Sequence, residues 1–255
     1  MTLLGRLKQQ LSVYSTHSED VEPSKAYNLW SETYDSEPGN LMLALDEEVF
    51  TGMLQQLSLK NKTVVDIGCG TGRHWAKMLL HKPDTLLGYD VSIGMLNKLN
   101  GKYPGAVVYH LSNNQLPELR NEQCDTLIST LTVAHIENIE EAFLEWSRVL
   151  KHNGEMIITD YHPDAFLKGG NRTFAYEGKT IAIKNHIHPL EKINAILLNN
   201  GFELLQFREK IIDDTMKPFF KKKNALHVFE KFRHVPIIYS MHLRKQHAPK
   251  ESTDH

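Results

Sequence analysis

A carboxylate and a set of regularly spaced glycines are the residues of this chain best suited to binding chemistry. Asp66 lies near the end of an apolar run, and three glycines follow it at alternate positions: Gly68, Gly70 and Gly72. A second apolar run ends in Asp90. A strand, a glycine-rich turn, a helix start and a second strand ending in an acid form the arrangement that holds a nucleoside cofactor at the carboxyl edge of a parallel sheet. The sequence therefore predicts a nucleoside site.

The spacing favours one kind of cofactor over another. A dinucleotide fingerprint would have its third glycine where this chain has Arg73, and a pyrophosphate would be repelled by the Asp66 carboxylate. A cofactor with a cationic amino-acid tail, such as S-adenosyl-L-methionine, is favoured by the same carboxylate, and its ribose offers two hydroxyls to Asp90. These residues favour S-adenosyl-L-methionine, and an NAD(P)-dependent oxidoreductase is the alternative that they oppose.

The composition limits the compartment and the partners. The chain has 255 residues and a formal net charge of -2, so no general positive field draws it to nucleic acid or to a membrane. Two cysteines, Cys69 and Cys124, are too few for a disulfide framework, which favours a reducing compartment. The first residues lack the apolar core of a signal peptide. We expect a cytoplasmic protein that has neither nucleic acid nor a membrane as its partner.

Strands that alternate with helices predict the α/β class and a doubly wound, mostly parallel sheet. Strands are expected at 63–67, 85–89, 106–110, 126–130, 155–159, 203–212 and 236–243. A helix from Ile139 to Leu150 is expected to be closed by Asn153-Gly154. The predicted regions are an N-terminal helical cap (1–60), a cofactor-binding core (61–160), a lid insertion (161–188), a C-terminal part of the same core (189–245) with a basic insertion (213–234), and a tail (246–255).

Four further patterns follow one another along the chain: Tyr27–Asp35, Leu116-Pro117 with Cys124–Ser129, Glu145–Glu155 and Asn200–Glu203. Together with the glycine turn they resemble the class I S-adenosylmethionine-dependent methyltransferases, in the small-molecule branch that includes the ubiquinone- and menaquinone-type enzymes. The resemblance covers roughly residues 24–212. It implies a seven-stranded sheet of the Rossmann-like methyltransferase fold with an antiparallel last strand, and in-line methyl transfer to an O, N or C atom of a small-molecule acceptor.

The resemblance also implies which residues bind the cofactor: Tyr27, Trp30, Tyr34, Asp66, Gly68, Gly70, Gly72, Asp90, Val91, Met95, Asn113, Thr130 and Leu131. Asp66 would face the ammonium group, directly or through water, and Asp90 would accept hydrogen bonds from the ribose. Two alternatives stay open, because Asp90 could cap a helix instead and Met95 could serve only the core. Relatives carry an acid for the adenine amino group where this chain has Ser112, so Asn113 and the backbone around it are expected to hold adenine.

On the acceptor side, His135 matches a histidine that many relatives carry and is the candidate general base. A hydrogen-bonded structural histidine is the alternative. The lid insertion is expected to cover the acceptor pocket with five candidate substrate residues: Tyr161, His162, Arg172, Tyr176 and His186. No histidine spacing resembles a zinc pattern, so no metal is expected.

Two further alternatives concern the whole chain. The basic and aromatic segment 217–223 could track a phosphate backbone, although a solvated insertion between the last two strands is the favoured interpretation. The chain could also be a non-catalytic, cofactor-binding subunit of a methyltransferase complex. The sequence leaves the identity of the acceptor and the oligomeric state open.

Overall fold

The computed structural model of the protein describes residues 20–36 and 40–246. The strands are β1 Thr63–Ile67, β2 Thr85–Asp90, β3 Val107–His110, β4 Cys124–Thr130, β5 Leu150–Tyr161, β6 Thr173–Tyr176, β7 Lys179–Ala182, β8 Phe202–Ile211 and β9 Pro236–Lys245. Seven of them form one sheet in the order β3-β2-β1-β4-β5-β9-β8, and β6 pairs with β7 in a hairpin.

The helices of the described residues are α1 Pro23–Trp30, α2 Leu41–Leu54, α3 Trp75–Leu80, α4 Ile93–Lys102, α5 Ile139–Val149, α6 Pro163–Leu167, α7 Leu190–Asn199, α8 Lys217–Lys222 and α9 Leu226–Phe232. Short 3-10 turns lie at Tyr34–Ser36, Val133–His135 and Asp214–Met216. Within these residues no helix is long and apolar enough to cross a membrane.

The central strands are parallel and apolar. β1 lies between β2 and β4, with Ile67 opposite Tyr89 and Ser129. Val64 and Val65 of β1 are completely buried, because helices on both faces of a parallel sheet cover both sides of its strands. β9 runs antiparallel to β5 and to β8. The predicted α/β fold, a mostly parallel seven-stranded sheet with an antiparallel last strand, is confirmed.

The order of the strands decides where a ligand can bind. The chain passes outward from β1 to β2 and β3, and then returns to β4 on the other side of β1. In open α/β sheets, ligands bind outside the carboxyl ends of the strands at such a reversal. The glycine turn after Ile67 and the segment after Thr130 leave the sheet at this point, so the fold brings these two segments together.

Helix α5 ends earlier than the sequence predicts. Its last residue is Val149, and Leu150 already pairs with Cys124 of β4. The carbonyl oxygen of Val149 accepts a hydrogen bond from the backbone N–H of Gln123 at 2.9 Å, and this pairing replaces another turn of helix. Asn153, at φ +61°, therefore lies inside β5, where the register with β4 shifts, and does not close the helix.

Helix α1 and the hairpin cover the carboxyl edge of the sheet. Trp30 of α1 stacks on Phe174 of β6, with ring centroids 4.9 Å apart, and α1 also contacts α4. A hairpin thus lies within the insertion 161–188 and contacts the N-terminal helix. Residues 1–19 and 37–39 of the predicted cap and residues 247–255 of the predicted tail lie outside the described residues.

The basic insertion folds as two short amphipathic helices. Phe220 of α8 and Phe229 and Phe232 of α9 are buried, in a cluster that also contains Leu131 and Tyr161. Lysines occupy the outer face of α8. These three phenylalanine rings therefore stabilise the cover of the sheet, which is not the exposed arrangement that stacking on nucleic-acid bases requires.

Candidate functional site

A cavity of about 420 Å³ lies at the carboxyl edge of the sheet, where the strand order reverses. Its walls contain most of the residues that the sequence singles out: Tyr27, Tyr34, Gly68, Gly70, Asp90, Val91, Met95, Asn113, Thr130, Leu131, His135 and Arg172. Sites for small molecules commonly enclose about 300–1,000 Å³. One cavity thus brings together residues that were predicted separately for a cofactor and for an acceptor.

Two glycines of the turn leave room for different neighbours: Gly70 for a ligand, and Gly68 for the segment after β4. Gly68 has φ +72°, and a Cβ atom there would lie 1.9 Å from Oγ1 of Thr132. Gly70 has φ +54°, and a Cβ atom there would have only the Gly68 carbonyl oxygen within 4.0 Å. Gly68 therefore permits the close approach of the segment after β4, and Gly70 presents bare backbone to open space in the cavity.

Asp90 is a buried carboxylate that backbone groups hold in place. Its Oδ2 accepts from the N–H of Gly70 and its Oδ1 accepts from the N–H of Ser92, both at 2.8 Å. Burial raises the pKa of Asp90 to about 6, although these two hydrogen bonds favour the charged form. Helix α4 has Ser92 as its N-cap residue. Asp90 is therefore not the cap, and its carboxylate lines the cavity.

Asp66 does not line the cavity. Its Oδ2 accepts a hydrogen bond from Nε1 of the buried Trp75 at 2.9 Å. Successive side chains of a strand point to opposite faces, and in β1 this places Asp66 against helix α3. Burial raises its pKa to about 6, and the hydrogen bond from Trp75 opposes that rise. The carboxylate therefore positions α3 behind the glycine turn, and its contact with an ammonium group, directly or through water, stays a prediction.

A second carboxylate, Asp46 of α2, was not predicted. It is completely buried and accepts hydrogen bonds from Arg73, from Thr159 and from Nε2 of His74, the last at 3.0 Å. Burial raises its pKa, but the hydrogen bond from His74 and the charge of Arg73 prevail and hold the pKa well below its usual range. Arg73, which stands where a dinucleotide fingerprint has its third glycine, thus binds α2 to the glycine turn through its guanidinium.

Two polar side chains, Asn28 and Asp35, bind the N-terminal segment over the cavity through three hydrogen bonds. Asn28 of α1 accepts from Oγ of Ser92 at 2.9 Å and from the N–H of Gly94 at 2.7 Å. Asp35 accepts from Oγ1 of Thr71 at 2.7 Å. The aromatic stretch Tyr27–Asp35 was the only sequence signal for these contacts, and nothing in it identified Asn28.

On the opposite side of the cavity, His135 is the centre of a buried network. Its Nδ1 lies 3.0 Å from the carbonyl oxygen of Lys184, which can only accept, so Nδ1 carries the proton. Its Nε2 therefore accepts, from the Tyr27 hydroxyl at 2.9 Å and from Nη1 of Arg172 at 3.0 Å. Burial and the charge of Arg172 lower the pKa of His135 to about 3. The imidazole is neutral, and its lone pair is already engaged.

The segment after β4 is bent to reach this network. Leu131 has φ +53°, a left-handed conformation that is uncommon for a branched side chain. Its N–H donates to the carbonyl oxygen of Thr159 at 2.7 Å, and its own carbonyl oxygen accepts from Nη1 of Arg172 at 2.6 Å. Backbone strain of this kind persists where the surroundings fix it, which is often at a functional site.

Several predicted site residues lie outside the cavity: Trp30, Asp66, Gly72, Tyr161, His162, Tyr176 and His186. Trp30 and Tyr176 pack in the aromatic cluster behind it. Tyr161 and His186 line a separate small recess. His162 caps α6 through the N–H of Asp164 and pairs with Glu209 at 3.0 Å. Of the described residues of the insertion 161–188, Arg172 lines the cavity, and the substrate roles of Tyr161, His162, Tyr176 and His186 stay predictions.

Other cavity residues had no sequence signal or only a weak one: Glu22, Pro23, Ser24, Ile67, His110, Leu111, Asn114, Leu116, Thr132, Ile136 and Trp146. The segment 110–114 follows β3, and its side chains form one end of the cavity. The Leu116-Pro117 pattern pointed to this region without naming the residues. Ser112 lines the cavity where relatives were expected to have an acid.

Comparisons with known proteins agree with this geometry. Residues 65–158 match a family described as "Methyltransferase domain". An uncharacterised methyltransferase of Emericella nidulans is 28% identical over 78% of this chain and 84% of its own length. A tRNA U34 carboxymethyltransferase of Hydrogenovibrio crunogenus is 31% identical, over only 42% of this chain and 35% of its own length.

The fold also has a solved counterpart. An S-adenosylmethionine-dependent methyltransferase from Mesorhizobium loti superposes with a TM-score of 0.61, covering 76% of this chain and 96% of its own. The two sequences are 17% identical, so this likeness concerns the fold. The matched family spans β1 to β5 and therefore contains the glycine turn, Asp90 and His135.

Proposed function

Since the chain is a class I S-adenosylmethionine-dependent methyltransferase, we propose that it methylates a small molecule held between helix α1 and the end of β4. The observation that supports this is the shared cavity. Gly70 and Asp90 line one part of it, and Tyr27, His135 and Arg172 line another. A donor and an acceptor bound in one enclosed space are aligned for displacement, and alignment can contribute roughly 7–11 kcal/mol to lowering a barrier.

The residues present fit the cofactor. Asp90 has lone pairs left for the ribose hydroxyls, since each of its oxygens accepts one backbone hydrogen bond. Bare backbone at Gly70 gives the amino-acid tail space. Val91 and Met95 would contact adenine, and Asn113 would hold its polar edge. When bound, S-adenosylmethionine supplies a methyl carbon made electrophilic by its sulfonium.

Four observations favour a small acceptor over nucleic acid. The tRNA-modifying relative resembles this chain over less than half of its length. Three of the four phenylalanines of α8 and α9, Phe220, Phe229 and Phe232, are buried, and the net charge of -2 provides no general attraction for phosphates. The covered cavity, with α1 and the hairpin above it, suits a compact ligand.

His135 is better suited to positioning than to proton abstraction. A general base near neutral pH works best when its pKa lies near the operating pH, whereas that of His135 is lowered to about 3. Its Nε2 accepts from both Tyr27 and Arg172. We infer that His135 orients these two side chains towards the acceptor and that the alternative of a hydrogen-bonded histidine applies.

Transfer of a labelled methyl group tests the proposal. Purified chain and methyl-labelled S-adenosylmethionine are incubated with a low-molecular-mass extract and, separately, with total tRNA. The expected result is label in the small-molecule fraction, which disappears with Asp90→Asn. Label in tRNA alone would overturn the small-acceptor proposal. If label appears only after a protein fraction is added, the chain is a subunit that needs a catalytic partner.

A further inference from the structure

Arg172 is a buried cation in the wall of the cavity. Only 6% of the residue is exposed, and it is the one lysine or arginine among the described residues that line the cavity. A guanidinium stays charged throughout the physiological pH range. The acceptor side of the cavity therefore has a permanent positive charge that water barely reaches.

The protein partners of this guanidinium are neutral. Nη1 donates to the carbonyl oxygen of Leu131 at 2.6 Å and to Nε2 of His135 at 3.0 Å. The guanidinium carbon also lies 5.7 Å from the centre of the Tyr27 ring. Within residues 20–36 and 40–246, no carboxylate oxygen lies within 4.0 Å of a guanidinium nitrogen of Arg172, the distance that defines an ion pair.

Two carboxylates attract Arg172 at longer range, Asp160 and Asp46, and both have other partners. Asp160 attracts the guanidinium through space. Its Oδ2 accepts from the N–H of Ala134 at 2.7 Å, and its Oδ1 accepts from the N–H of Tyr161 at 2.6 Å. Asp160 does not line the cavity. It offsets part of the charge from behind and leaves the cavity side of Arg172 unpaired.

Burial opposes the charge of this guanidinium, and distant negative groups offset that cost so that its pKa is raised; an anionic ligand would add a direct partner. Burying an ion costs several kcal/mol unless an opposite charge and hydrogen bonds compensate. The planar guanidinium is the side chain best matched to a carboxylate, which it binds through two parallel hydrogen bonds. Both side-chain hydrogen bonds shown for Arg172 leave from Nη1, so in the described structure Nε and Nη2 are available for such a contact.

We propose that Arg172 binds a carboxylate group of the methyl acceptor, which makes the acceptor an anionic small molecule; this rests on the proposed function. The placement favours the acceptor over the cofactor's own carboxylate. Arg172 is fixed to the residue that follows β4, two strands from β2, which ends in Asp90. Neighbouring strands lie about 4.8 Å apart, so the separation is about 10 Å. The glycine turn lies between them and receives the amino-acid tail.

Matched pairs of carboxylates and amides test the charge of the acceptor. The wild-type protein is saturated with S-adenosylhomocysteine and titrated calorimetrically with acetate, benzoate and 3-phenylpropanoate, and with the amide of each. At least one carboxylate is expected to bind about tenfold or more tightly than its amide. Arg172→Gln should abolish that preference, whereas Arg208→Gln, at an exposed position of β8, should leave it unchanged. Equal binding of acid and amide in all three pairs would overturn the proposal.

A second arm identifies the source of the carboxylate. S-adenosylhomocysteine and 5′-methylthioadenosine, which lacks the amino-acid tail, are titrated into wild type and Arg172→Gln. The proposal predicts that both bind the variant within about threefold of wild type. A loss of about tenfold confined to S-adenosylhomocysteine would assign Arg172 to the cofactor and overturn the proposal.

Failure of the wild type to bind S-adenosylhomocysteine would instead refute the proposed function. If Arg172→Gln does not fold, the comparison of each carboxylate with its amide in the wild type tests the proposal, and Arg172→Lys serves as the second variant.

Discussion

The two sides of the cavity are built in different ways. We call the residues Gly68, Gly70, Asp90, Val91 and Asn113 the cofactor half, and the residues Tyr27, Leu131, His135 and Arg172 the acceptor half. The cofactor half comes from the turns after three consecutive strands, β1, β2 and β3. The acceptor half joins α1, the end of β4 and the lid insertion. The cofactor half therefore depends on one local supersecondary unit, and the acceptor half depends on segments that are distant in the sequence.

The two halves also differ in how they hold charge. In the cofactor half, a carboxylate accepts from backbone N–H groups. In the acceptor half, a guanidinium donates to a carbonyl oxygen and to a neutral imidazole. The first is an anion that backbone groups hold in place, and the second is a cation that has no carboxylate within ion-pair distance among the described residues. Substitutions in one half should therefore change one binding event and spare the other.

The largest effect is expected for Gly68→Ala. A Cβ atom there would lie 1.9 Å from Oγ1 of Thr132, at φ +72°, so overpacking and backbone strain together should cost about 3 kcal/mol or more of the free energy of unfolding. Urea unfolding measures this. Gly178→Ala has a similar φ of +76° with nothing within 4 Å, and should cost only about 1 kcal/mol. Equal losses in the two variants would contradict the close approach of the two turns.

Asp90→Asn comes next. The amide can replace only one carboxylate oxygen, so the variant loses a charge-assisted hydrogen bond and turns N–H towards a backbone donor. S-adenosylhomocysteine should bind about 10- to 100-fold more weakly by calorimetry. Asp84→Asn, at an exposed position before β2, is the matched control. An unchanged affinity in Asp90→Asn would show that Asp90 does not bind the ribose.

The pH dependence should isolate the same carboxylate. The pKa of Asp90 is raised to about 6 by burial, so below pH 6 the unliganded protein is protonated there and has fewer acceptor lone pairs. The affinity for S-adenosylhomocysteine should be constant above about pH 7 and fall by up to about tenfold per unit below pH 6. Asp90→Asn should show a flat profile. The same slope in that variant would assign the titration to Asp66 or Asp160, whose pKa values are also raised to about 6.

The smallest effect is expected in the acceptor half, for Tyr27→Phe. The substitution removes the hydroxyl that donates to His135 at 2.9 Å and keeps the ring beside Arg172. Loss of one such hydrogen bond should cost about 1 kcal/mol of the free energy of unfolding. The affinity for S-adenosylhomocysteine should stay within about threefold of wild type. A tenfold loss of cofactor affinity would show that the two halves are not separable at this residue.

The difference between the halves also explains what the sequence could predict. The glycine turn and Asp90 were identified because alternating apolar runs and turns specify them locally. Asp46 was missed because a buried acid in an apolar helix has no local signature before Arg73 and His74 fold against it. His162 and Tyr161 lie away from the cavity, and no sequence pattern indicates this because the path of the insertion depends on packing against α9 and β9. Arg172 was named, but its contact with His135 depends on a tertiary arrangement that spacing does not encode.

The most direct test of a cavity with two separable halves is one calorimetric comparison. S-adenosylhomocysteine is titrated into wild type, Asp90→Asn and Arg172→Gln under identical conditions, and each variant is first shown to be folded by circular dichroism. The account predicts a loss of about tenfold or more for Asp90→Asn and a change within about threefold for Arg172→Gln. Undiminished binding by Asp90→Asn together with a tenfold loss by Arg172→Gln would contradict it.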